Sequence, residues 1–133
     1  MRIIRVLAFL TSLVFFVIFS AQSLKLYSSH QTRGDLTAYA QGMWNTLHNN
    51  FLASTYNYSV HNYYDKEFRE ITAENSNILG IHFNPILLFF VPVYAFTPRP
   101  ETLLMLQSFL VAGGGWLMYL LASRILKFQM LAL

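Results

Sequence analysis

Asp35 stands in the stretch "RGDLTAYAQGMWNTLHNN", residues 33–50, shortly after a long apolar run. A carboxylate there can accept or orient a proton, which is the work of a general base. Aspartate is also among the best helix N-caps, and the two roles are compatible. His82, just ahead of Asn84-Pro85, suits contact with a phosphate or a metal ion, or a structural hydrogen bond at an element boundary. Arg33 and Arg69 are of the type that binds a diphosphate, and equally of the type that is merely solvated. Trp44 and Asn45 suit helix anchoring and capping, with substrate contact as the alternative. His48, His61, Asp65 and Glu67 are metal-ligand types, but their spacing matches no ligand motif, so no metal site is assigned. No serine–histidine–aspartate order, Gly-rich phosphate loop or HExxH pattern occurs. Hydrolase, nucleotide-binding and zinc-protease readings are set aside on that ground.

The elements that must position these residues are built for lipid. Of 133 residues, 55% are hydrophobic and 11% charged, whereas a soluble domain carries about a quarter charged. The net charge of +3 is spread so that Arg2, Arg5, Arg124 and Lys127 flank apolar segments. No basic stripe with interleaved aromatics appears, so nucleic acid is not an expected partner. With no cysteine there is no disulfide framework and no thiolate metal site. The expected fold is all-α and integral to the membrane, with two transmembrane helices and a long outer loop carrying juxtamembrane amphipathic helices.

Residues 6–24 are uncharged, about the length that crosses ~30 Å of hydrocarbon as a helix. Arg2 and Arg5 place residues 1–5 in the cytoplasm. A signal peptide cleaved near Ala21-Gln22-Ser23 is the rival, and the later apolar segments favour an uncleaved span. The second span is expected over 101–123, where Pro100 suits the first helical position and Glu101 the positive end of the helix dipole. Arg124 and Lys127 then make 124–133 a cytoplasmic end. Gly113-Gly114-Gly115 inside that span reads as close helix packing or as a kink. Residues 82–97 are apolar but short for a span and interrupted by Pro85 and Pro92. Parity makes them a juxtamembrane or re-entrant helix on the outer side. Residues 25–81 form an outer-face loop. Within it, Leu36, Ala40, Met43, Leu47 and Phe51 recur at helical spacing and predict an amphipathic helix over about 35–50. Phe51 to Val60 suits a short hairpin, and Asn57-Tyr58-Ser59 is a glycosylation sequon.

Several of these motifs resemble, in order, the N-terminal part of a family of polytopic prokaryotic membrane proteins known as domain of unknown function 2079. They are Asp35-Leu36, Gln41 with Trp44-Asn45, His82-Phe83-Asn84-Pro85-Ile86-Leu87, and Pro98-Arg99-Pro100-Glu101-Thr102-Leu103, covering roughly residues 30–127. Two departures stand out: Ala40 occupies a position where many relatives carry a second acidic residue, and the insert from about Val60 to Asn77 has no counterpart. The family is related by fold to the C-class (GT-C) glycosyltransferases. The resemblance implies transfer of a sugar from a polyprenyl-phosphate donor, with Asp35 catalytic and His82, Trp44, Asn45 and Arg33 in substrate contact. A divalent cation is left open as a cofactor. It also implies a multi-pass cell-membrane protein whose partners are membrane lipid, lipid-linked sugar and the remaining transmembrane helices. Because relatives are much longer, the chain is expected to be an N-terminal fragment, inactive by itself. The alternative is a non-catalytic membrane scaffold or a partner-binding or transport component. A transporter places ionisable residues inside its spans, and here only the uncharged Gln107 comes near that description.

Overall fold

Long uncharged stretches satisfy their backbone polar groups internally, and helix is the way one segment does so alone. The computed structural model of the chain describes residues 2–31, 34–55, 77–81 and 83–125. Its helices are α1 (Arg2–Ser28), α2 (Gly34–Leu47), α3 (Ile78–Ile81), α4 (Leu87–Phe96) and α5 (Pro100–Ile125). Among the described residues no strand forms, and one isolated bridge pairs Ala53 with Asn77. The hairpin expected over 51–60 is therefore not seen in its described part, 51–55. Leu52 adopts a left-handed φ of 47°, which breaks an extended run, and the segment's polar groups bond to side chains of α2 instead. Residues 56–60, with the sequon, lie outside the described residues.

The chain is all-α among the described residues, and α1 and α5 are long and apolar enough to cross a membrane. Their 27 and 26 residues correspond to about 40 Å of helix, against ~30 Å of hydrocarbon. With ten residues, α4 reaches only about 15 Å.

The fold divides into two units. The first contains α1 and the part of α5 from Leu104 onward. Phe9 meets the edge of Trp116 at 5.5 Å between ring centroids, and Phe16 meets Phe109 at 6.4 Å. Seven residues up α1 correspond to seven down α5, so the two helices run antiparallel. Gly115 faces the partner, since a Cβ there would stand 3.9 Å from Ser12 Oγ, whereas Gly113 and Gly114 meet nothing within 4 Å. The helix continues unbroken through all three glycines. Three hydroxyls along the pair return to their own helix: Thr11 Oγ1 donates to Leu7 O, Ser108 Oγ to Leu104 O and Ser123 Oγ to Leu120 O, each at 2.9 Å. Val6, Leu13, Phe15 and Val17 are exposed, an outward apolar surface that suits lipid rather than water. At its C-terminal end, α1 closes with Ser28 and Ser29 hydroxyls donating to Lys25 O, and His30 turns away at φ 56°.

The second unit runs from Gln31 to Leu103. Its core is Met43 of α2, Ile78 of α3, and Leu87 and Tyr94 of α4, all buried. Tyr39, Phe90, Val91 and Leu103 pack against them. The Tyr94 hydroxyl donates to Ala40 O at 3.3 Å and so ties α4 to α2. Where a side chain at position 42 would collide with Ile78 Cδ1, the residue is Gly42, and its missing Cβ lets α3 pack closely.

Candidate functional site

The site has to be built on α2, the helix that carries Asp35, Trp44 and Asn45. Its C-terminal half is fastened to the following segment by three side chains on neighbouring turns. Gln41 Oε1 accepts hydrogen bonds from Ser54 Oγ (3.0 Å) and Thr55 N (3.1 Å). Asn45 Nδ2 donates to Ala53 O at 2.8 Å. Thr46 Oγ1 donates to Gly42 O at 2.7 Å and accepts from Leu52 N at 2.8 Å. Leu52 O in turn accepts from Ile78 N at 3.0 Å, and Asn77 Nδ2 donates to Phe51 O at 3.1 Å. Residues 51–55 are thereby held between α2 and α3. The left-handed backbone of the fully buried Leu52, a strained conformation for this residue type, is held by hydrogen bonds on both its N–H and its carbonyl.

Asp35 lies in the first turn of α2, one residue inside the helix that begins at Gly34. It is exposed, and among the described residues no hydrogen bond or ion pair engages its carboxylate. A carboxylate in the first helical turn faces the positive end of the helix dipole. That, rather than an N-cap bond, is its local relation to the helix.

The ring of Trp44 is half exposed and stacks on His48 at 4.4 Å between centroids. His48 Nδ1 lies 2.8 Å from Trp44 O, and because a carbonyl only accepts, that nitrogen carries the proton. Nine residues of helix separate Asp35 from Trp44, two and a half turns, so they emerge on opposite sides about 13 Å apart along the axis. Asn45 is a further residue along and has its amide committed to Ala53 O. The three α2 residues therefore do not converge on one small group. Position 40, where a second carboxylate would complete a pair, is a buried alanine.

Arg33 and His82, with Arg69, His61, Asp65 and Glu67, lie outside the described residues. Among the described residues no three histidine or carboxylate side chains gather to hold a metal ion. The residues that sequence reasoning passed over are Gln41, Thr46, Ser54 and Thr55. Gln41 stands in a motif, but its role depends on a chain reversal that leaves no periodic signal.

Residues 25–133 match a family described as "Predicted membrane protein (DUF2079)". It is the same family that the spaced motifs resemble. No curated protein and no solved structure matches the chain.

Proposed function

The chain belongs to that family of membrane proteins, and from this premise we propose that it acts as a glycosyltransferase-like component of a multi-pass cell-membrane protein. The substrate is a sugar linked through phosphate to a membrane lipid. In this reading an acceptor hydroxyl attacks the anomeric carbon, and the bond from that carbon to the phosphate oxygen breaks. The polyprenyl phosphate leaves with the electron pair, and the Asp35 carboxylate takes the hydroxyl proton. Arg33 and His82 are assigned to the donor phosphate, while Trp44, on the opposite side of α2 from Asp35, and Asn45, with its amide on Ala53 O, anchor the helix.

One observation carries the reading: a carboxylate without a partner among the described residues, exposed at the start of a helix that is itself fixed by a core and a hydrogen-bonded clamp. A base must be free to reach substrate yet held by a rigid element, and Asp35 meets both conditions. The antiparallel ring contacts of α1 and α5 support a topology with Arg2, Arg5 and Arg124 at one end of the pair. By the charge rule that end is cytoplasmic. The residues between the two helices then belong to the outer side, where a lipid-linked sugar is presented.

A second reading, a non-catalytic binding module, is favoured by the spread of the α2 residues and by the structural use of Asn45. The two are separated by reconstituting the longer multi-pass protein that contains this chain in vesicles with a panel of polyprenyl-phosphate sugars and measuring release of polyprenyl phosphate. Release with any donor supports transfer. Folded protein that releases none with every donor supports the binding module.

A further inference from the structure

Helix α4 is apolar all round, and the unit's core covers one side of it. Leu87 and Tyr94 face the core with Met43 and Ile78. On the other side Phe89 and Phe96 are 79% and 90% exposed, with Ile86 and Val93 also open. Positions 86, 89, 93 and 96 recur at intervals of three and four, so they form one stripe. Phe83, just before the helix, is 82% exposed.

We propose that this stripe is a lipid-binding surface, with α4 lying in the plane of the bilayer at the boundary between headgroups and acyl chains. Three observations choose lipid over another protein as the occupant. The unit is joined by the chain at both ends to helices long and apolar enough to cross a membrane. The helix is about 15 Å long, half the ~30 Å needed to cross hydrocarbon. From Phe83 to Arg99 the one charged residue is Arg99, exposed three residues beyond Phe96, which supplies a cation for lipid phosphate beside the aromatic stripe. The proposal rests on the membrane part of the reading above and is independent of glycosyl transfer.

The chain has no cysteine, so single-cysteine variants report one site each. Phe89→Cys and Phe96→Cys remove exposed rings without opening the core, and Thr37→Cys on the exposed side of α2 serves as comparator. Each full chain is labelled with an environment-sensitive fluorophore and reconstituted in phosphatidylcholine–phosphatidylglycerol vesicles. The emission is then quenched by lipids carrying a nitroxide near the headgroup or deep in the chain, and by aqueous iodide. The proposal expects blue-shifted emission at 89 and 96, larger loss with the shallow nitroxide than with the deep one, and weak iodide quenching relative to position 37. Iodide quenching equal to that at 37 overturns it. So does larger loss with the deep nitroxide, which means re-entry, or lipid quenching that disappears as protein density rises, which means self-association. Polyprenyl-phosphate release is measured separately on the longer multi-pass protein that contains this chain: absence of release there with quenching intact removes the transfer reading alone.

Discussion

Asp35 and Asn45 sit ten residues apart on one helix in opposite circumstances. The first has no partner among the described residues, and the second is tied by its amide to the backbone of residue 53. Asn45→Ala should remove a part-buried hydrogen bond and leave Ala53 O short of a donor, at a cost of ~1–3 kcal/mol. Thermal unfolding in detergent measures it, and Asp35→Asn in the same assay should lower the midpoint only slightly, by the ~0.3–1 kcal/mol of its helix-dipole interaction. Gly42 offers a sharper case. A Cβ there would stand 3.1 Å from Ile78 Cγ1 and closer to Cδ1, with Leu52 O at 3.4 Å behind. Gly42→Ala should therefore destabilise by about 1–3 kcal/mol through overpacking. Adding Ile78→Val, which deletes Cδ1, should restore part of the loss, a coupling that unfolding of the double variant detects. Asp35, Trp44 and Asn45 were legible as residue types on a helix. Their separation was legible too from 3.6 residues per turn, but the commitment of Asn45 and Gln41 to residues 53–55 was not, because a turn stabilised by side chains has no sequence period.

At the scale of elements, the long uncharged runs announced α1 and α5, since a stretch without charge over five turns has few other ways to satisfy its backbone. Their mutual register was not readable, because it depends on which aromatic ring meets which. Ser12 and Gly115 give a direct check. In the cysteine-free chain, the pair Ser12→Cys with Gly115→Cys should cross-link on mild oxidation. The pair Val6→Cys with Gly115→Cys, displaced by six residues or about 9 Å of helix, should not. Mobility on a non-reducing gel reads both. The apolarity of α4 was equally plain in the sequence, yet an all-round apolar helix does not say which face is covered. That came from Tyr94 reaching Ala40 O and Leu87 joining the core with Met43. Ser20 Oγ and Tyr119 OH are buried without a hydrogen-bond partner among the described residues. Ser20→Ala should therefore be neutral or stabilising, by up to about 1 kcal/mol, in the same unfolding assay.

At the scale of the whole molecule, composition alone pointed to a membrane, and the family match over residues 25–133 agrees. Along the chain, one apolar helix is followed by a small unit with its own core and then by a second apolar helix. In the proposed reading that unit holds the polar group which acts on the lipid-linked sugar, and Asp35 is the described residue assigned to it. The claim is tested most directly by one change, Asp35→Asn, in the longer multi-pass protein that contains this chain, reconstituted with polyprenyl-phosphate sugars, with polyprenyl-phosphate release as the readout and unfolding as the control. The account predicts that release falls to background while the protein stays folded, losing no more than the ~1 kcal/mol that a first-turn carboxylate contributes. Equal release from the wild type and the folded variant would contradict it.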